Sequence, residues 1–179
     1  MIPLPTDEEL TPEHSELLDK VPALNIFRML AGTRRALRPF LQLGRTVLSS
    51  SLDARRREIA VLRVARATGA GYEWAQHERL ARSAGVSEQE IDAISTEEPV
   101  SSLDEEANLL CRVADEVSRN VRLSDDALQQ MIDRYGPREA SEVILLVSYY
   151  NMVSRFLEST RVPLEDEPAD IEVLLSTQG

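Results

Sequence analysis

Cysteine is almost missing from this chain: Cys111 is the only one in 179 residues. That excludes an intrachain disulfide and a cysteine-rich metal site. Clustered positive charge is missing as well. The formal charge is −11, whereas a nucleic-acid binder needs Lys and Arg gathered on an outward face. Of the 20 cationic residues only Lys20 is a lysine, a bias that genome composition explains as readily as function. Long apolar runs are also lacking. The longest, Val143 to Val147, falls far short of the ~20 residues that cross a bilayer as a helix. The opening Met1-Ile2-Pro3-Leu4-Pro5 has neither the basic region nor the apolar stretch of a signal peptide. A cytoplasmic protein is therefore expected, with neither nucleic acid nor membrane among its partners.

Strand alternation is the last absence, and nearly every segment instead carries a helical period. At 42% hydrophobic residues the chain can bury a real core as one all-helical domain over 1–179. Thr11-Pro12 reads as an N-cap followed by proline at the first helical position. Pro22 restarts the chain into a helix over 23–30. A further helix is expected from Thr33 to about Leu48, with Pro39 threatening a kink. Asp53 caps a helix that stops at Gly69-Ala70-Gly71, and a second helix runs from Tyr72 to Ala84. Ser87-x-x-Glu90 and Ser102-x-x-Glu105 are capping boxes. The stretch 95–100 between them reads as the boundary between halves 20–95 and 101–162. Ser124 caps the next helix, Gly136-Pro137 breaks it, and a final helix reaches about Thr160. Its Val143–Val147 centre is apolar all round and should lie in the core or at a subunit interface. An acidic tail, 163–179, follows, in which 171–175 could dock on a neighbour.

The chemistry-bearing residues cluster in Arg57-Glu58-Ile59 and in Gly71-Tyr72-Glu73-Trp74-Ala75-Gln76-His77. Glu73 and His77 are four residues apart and share one helix face. A carboxylate beside an imidazole fixes its tautomer and raises its pKa, which suits a proton shuttle. If the two helices form a tight hairpin, Glu58 approaches that pair. Two carboxylates near one histidine would give an acid and a base of different strength. The same spacing also occurs on solvated helix faces. One histidine and two glutamates are weak support for a metal, and none is expected. Tyr72 and Trp74 line a planar substrate or pack between helices. Tyr149, Tyr150 and Asn151 close the site or pin the core. Arg55-Arg56-Arg57, at a helix start, reads as solvated or subunit-pairing rather than substrate-attracting. Cys111 reads as a small packed hydrophobe.

Glu-Ile-Ala-Val-Leu-Arg-Val-Ala from Glu58, Gly-Tyr-Glu-Trp-Ala-Gln-His ending at His77, and Ala-Gly-Val-Ser ending at Ser87 resemble the core signature of carboxymuconolactone decarboxylase-like proteins. The stretch Tyr149 to Phe156 resembles the closing helix of longer members. The resemblance covers Phe27 to about Pro163 and implies a helical bundle of the alkylhydroperoxidase D-like type, with about seven to eight helices. The alkylhydroperoxidase D-like branch of this family carries Glu-x11-Cys-x2-Cys-x3-His, in which the thiols reduce peroxide while Glu and His relay protons. This sequence keeps the spacing as Glu58-x11-Ala70-x2-Glu73-x3-His77, so both cysteine positions are lost. A carboxylate cannot form a disulfide, and an alanine cannot attack peroxide.

What remains is the decarboxylase-like reading. Decarboxylation of an unsaturated lactone in this family needs no cofactor, only a donor for the developing oxyanion and one well-placed acid. The resemblance thus implies a small carboxylated or carbonyl substrate, with His77, Glu58 and Glu73 as catalytic residues and Tyr72, Trp74 and Tyr150 against the substrate. It also implies a homo-oligomer: dimer, trimer or hexamer. The alternatives are a peroxidase-related antioxidant protein and a non-catalytic binding or assembly protein on the same fold.

Overall fold

The structure is a computed structural model that describes residues 1–49, 51–166 and 169. It is all-helical: a short 3-10 turn, Asp7–Glu9, precedes α1 (Pro12–Leu18), α2 (Asn25–Ala31), α3 (Leu37–Leu48), α4 (Ala54–Thr68), α5 (Gly71–Ser83), α6 (Glu88–Thr96), α7 (Glu105–Asn120) and α8 (Asp125–Thr160). The segment 171–175, expected to dock on a neighbour, lies outside the described residues. Among the described residues no helix is long and apolar enough to cross a membrane.

The chain divides into two compact units, Met1–Ser49 with Leu157–Gly179, and Ser50–Phe156. In the first, α1 packs on α2 and α2 on α3. Thr11 accepts from the His14 amide at 3.2 Å with Pro12 at the first helical position. Phe27 meets Phe40 edge-on at 6.5 Å. Arg28 donates through Nε to the Pro5 carbonyl at 2.8 Å, and Asn25 Nδ2 donates to the Pro163 carbonyl at 3.1 Å. Pro5 and Pro163 are thereby tied to α2. The expected kink at Pro39 does not form. α3 begins at Leu37 rather than Thr33, so the proline falls in the first turn, where its missing N–H had no intrahelical partner to lose.

The second unit is organised around α4, which packs against α5, α6 and α7. Every residue from Arg57 to Ala65 on it is buried, as befits a helix surrounded on all sides. Asp53 caps it, accepting from the Arg56 amide at 2.9 Å. It ends at Gly69 in the left-handed region, φ 70°, a conformation glycine adopts without a Cβ clash. Only Ala70 separates that glycine from the start of α5, so α4 and α5 form the tight hairpin the sequence predicts.

Ser87 and Glu90 form the expected capping box on α6. Ser102 does not cap α7. Its amide donates to Glu97 Oε2 at 3.1 Å, which keeps it in the preceding loop, and Asp104 caps instead, accepting from the Ala107 amide at 2.8 Å. α8 is broken where expected: Gly136 is non-helical, with φ 73° and ψ 166°, ahead of Pro137. Beyond the break Val143, Leu146 and Val147 are buried, but Leu145 is 48% exposed. The apolar run is therefore not enclosed on all sides within the single chain.

Candidate functional site

Three helices of the second unit converge on one buried cluster: α4 brings Arg57 and Glu58, α5 brings Glu73 and His77, and α8 brings Tyr149 and Tyr150. Glu58 is fully buried, and its Oε2 accepts a hydrogen bond from His77 Nδ1 at 2.7 Å. The separation along the hairpin, ~15 Å from the turn for Glu58 against ~9 Å for His77 at 1.5 Å per residue, is thus bridged. With a carboxylate on Nδ1, the neutral ring holds its proton there and leaves Nε2 as the basic nitrogen. Tyr150 stands edge-on to the His77 ring at 4.9 Å, and Tyr149 stands edge-on to Tyr150 at 5.3 Å.

The electrostatics of the cluster separate its members. Burial alone would lower the pKa of His77. The charge and hydrogen bond of Glu58, with the charge of Glu73 behind them, outweigh burial and the opposing Arg57, so His77 is raised above the ordinary imidazole value. Glu73 sits in the first turn of α5, where the helix dipole favours a carboxylate. Burial dominates nonetheless and, reinforced by the Glu58 charge against the opposing pull of His77, pushes Glu73 up to about 7. Its Oε2 is buried without a hydrogen-bond partner, so that oxygen lacks a donor that would help hold the carboxylate ionised. Tyr150 is raised well above the ordinary phenol value by burial, then by the charges of Glu58 and Glu73, and it stays a neutral donor. The result is a buried cluster of proton-bearing groups in which Glu73 and His77 are both shifted toward keeping their protons.

Of the residues singled out in the sequence, Glu58, Glu73, His77 and Tyr150 meet here. Tyr72 is buried, whereas Trp74 is only half-buried, and neither is a partner in the Glu58–His77 hydrogen bond or the His77–Tyr150 ring contact. Asn151 turns away: its Nδ2 donates to Ser118 Oγ at 2.9 Å and to the Val147 carbonyl at 3.0 Å, pinning α8 to α7. Cys111 is fully buried on α7, and burial pushes its thiol up to about 12. Arg57 is the residue the sequence reading misplaced. It is 2% exposed, not solvated, and its Nε donates to Glu58 Oε1 at 3.2 Å. The signal was its register: Arg57 shares a helical stripe with Ala60, Val61 and Val64, all buried.

A cleft of about 1130 Å³ opens elsewhere in the same unit, between the 98–100 connection, α7 and the start of α8. It includes none of the cluster residues. Its arginines are engaged in ion pairs, Arg112 with Glu116 at 2.8 Å and Asp126 at 2.7 Å, and Arg134 with Glu106 at 3.4 Å. Those walls are a salt-bridged surface, where Arg112 and Glu116 are shifted further toward their charged forms, whereas the cluster holds a carboxyl raised to about 7.

Residues 34–116 match the model of the carboxymuconolactone decarboxylase family. This span contains α3 to most of α7 and so carries Glu58, Glu73 and His77. No curated protein matches the sequence. Among solved structures, the alkylhydroperoxidase AhpD core of an uncharacterized peroxidase-related protein from Ralstonia eutropha superposes with a TM-score of 0.76 at 16% identity, covering 92% of this chain and 91% of that one. An uncharacterized peroxidase-related protein from Silicibacter sp. gives a TM-score of 0.71 at 16% identity, covering 93% and 88%. A protein of unknown function from Agrobacterium tumefaciens gives 0.65 at 23% identity, covering 75% and 94%. The matched core thus resembles the carboxymuconolactone decarboxylase family, and the chain shares its all-helical fold with alkylhydroperoxidase D-like structures while lacking a cysteine pair.

Proposed function

We propose that the protein is a cofactor-free acid–base catalyst acting on a small carboxylated or carbonyl compound, with His77 as the acid/base. The observation that carries this reading is Glu73: a buried carboxyl with an unpartnered oxygen, pushed up to about 7, beside a Glu58–His77 pair at 2.7 Å. A donor is most effective when its pKa lies near the working pH. Glu73 and His77 supply two such groups of opposite charge type. In a decarboxylation the bond from the carboxylate to its neighbouring carbon breaks and carbon dioxide leaves. The electron pair delocalises toward an adjacent carbonyl oxygen, where the neutral Tyr150 hydroxyl or protonated Glu73 is suited to donate a hydrogen bond. The imidazolium of His77 then returns a proton to carbon and regains one from water. Glu58 stabilises the imidazolium through each cycle.

A second reading comes from two of the structural neighbours, which are uncharacterized peroxidase-related proteins. Thiol-dependent peroxide reduction of the two-cysteine type requires two thiols, and this chain has one, Cys111, buried and held protonated. The acid–base reading is therefore preferred. The test is a panel of small unsaturated lactone carboxylates and β-keto acids, followed by carbon dioxide release and by deuterium incorporation from heavy water. Wild type, His77→Ala and Glu73→Gln are assayed together. Turnover that falls roughly 100-fold or more in His77→Ala supports the proposal. No turnover across the panel, or turnover indifferent to His77, refutes it and leaves a binding or assembly role.

A further inference from the structure

Adjacent residues on a helix point about 100° apart and ordinarily do not face each other. Arg57 and Glu58 are adjacent on α4, yet the Arg57 side chain curls back so that Nε donates to Glu58 Oε1 at 3.2 Å. Both side chains are buried, at 2% and 1% exposure. Glu58 is thereby divided: one oxygen receives the guanidinium, and the other receives His77 at 2.7 Å. Burying a guanidinium is costly, and this one donates to a carboxylate that already accepts from His77. The arrangement makes sense if the carboxylate alone would bind the histidine proton too tightly to release it.

We propose that Arg57 is a positioning residue that holds the Glu58 carboxylate against His77 and withdraws part of its charge, so that His77 keeps a proton it can give up. The groups facing His77 bear this out. From α4 come Arg57 and Glu58, from α5 Glu73, and from α8 Tyr150. Of these only Arg57 favours release of the proton; Glu58 and Glu73 both favour its retention. Arg57 also opposes the rise of the Tyr150 phenol, so one cation acts on both donors.

This inference rests on the acid–base reading of the cluster, but its test needs no substrate, so it stands or falls separately from turnover. The chain has two histidines, His14 and His77, so the imidazole titration of His77 can be followed by NMR with His14 as an internal control. In Arg57→Gln, His77 should bind its proton roughly tenfold more tightly, as expected for removing one charge through a protein-like dielectric, while Arg57→Lys should restore most of the wild-type value. A merely structural arginine would lower the thermal midpoint and leave the His77 titration where it was, and that outcome in a folded Arg57→Gln protein overturns the proposal. Should Arg57→Gln fail to fold, wild type decides. The Arg57 Nε–H resonance should move in step with the His77 titration, and a resonance that stays flat through it overturns the proposal equally.

Discussion

Two buried arginines on α4, six positions apart, show how the same helix carries both architecture and chemistry. Each guanidinium nitrogen of Arg63 has an acceptor. Its Nε and Nη2 form a bidentate pair with Asp115 at 2.8 and 2.7 Å, and its Nη1 donates to the Ile94 and Glu97 carbonyls at 2.8 and 2.9 Å. Those carbonyls belong to the end of α6, where backbone acceptors have no helical partner, so Arg63 fastens α6 and α7 to α4. At the other end of the helix, the charge of Glu58 acts on a glutamate that has one unsatisfied oxygen. Glu73 Oε2 has no partner, and the carboxyl adjusts by keeping its proton to about pH 7. A buried charge whose every nitrogen is bonded is rigid and silent. A buried ionisable group that lacks a partner costs stability, and such groups gather where proton transfer is needed.

Removing the complete network should do the most damage. Arg63→Met leaves two carbonyls without their donor and Asp115 with only the longer Arg119 contact at 3.5 Å, and urea unfolding should show a loss on the order of 3–5 kcal/mol. A loss below ~1 kcal/mol would erase the contrast between the two clusters.

The incomplete cluster should behave in the opposite way. Glu73 is raised on folding, so the stability it contributes is full below its unfolded value near 4.5 and is lost as pH rises toward about 7. His77, also raised, adds a loss of the same sign as pH climbs above its ordinary value. Glu73→Gln cannot ionise and escapes the first of these losses. Between pH 4 and pH 8 it should gain up to about 3 kcal/mol relative to wild type, measured by denaturant unfolding at each pH. A wild type and variant that fall in parallel would mean that Glu73 ionises freely in the fold.

The smallest expected effect lies outside both clusters. Val121 closes α7 with φ 68° and is 89% exposed, a left-handed conformation that disfavours a β-branched side chain. Val121→Gly should stabilise by about 0.5–1 kcal/mol, seen as a rise in Tm with no change in either cluster.

These contrasts were only partly legible in the sequence. Local signals that act through one or two residues were readable. Asp53 and Ser87 cap because their side chains reach the amide three residues on, and Gly136 breaks α8 because it takes a backbone conformation the helix cannot. The Glu58-x11-Ala70-x2-Glu73-x3-His77 spacing brought two carboxylates to one histidine because the hairpin turn is short. Choices that depend on what surrounds a residue were harder to read. Ser102 and Asp104 are both competent caps, and only the Glu97 carboxylate, by holding the Ser102 amide, decides between them. Arg57 has the same residue type as its neighbours Arg55 and Arg56, and only its register with Ala60, Val61 and Val64 sets it apart. Arg56 stays near the surface with Asp53 and Glu106, while Arg57 is buried against Glu58. That Glu73 would be left with an unpartnered oxygen is a property of packing, which no spacing encodes.

Carbon-13 NMR of the Glu73 side-chain carboxyl, titrated from pH 3 to pH 9 in the intact protein, tests the central claim most directly. The account predicts a midpoint near 7, far above that of exposed glutamates, and a midpoint that shifts when His77 is replaced. A carboxyl that titrates near 4.5 with the bulk of the surface glutamates would contradict it, because Glu73 would then be an ordinary ionised side chain with no proton to give at neutral pH.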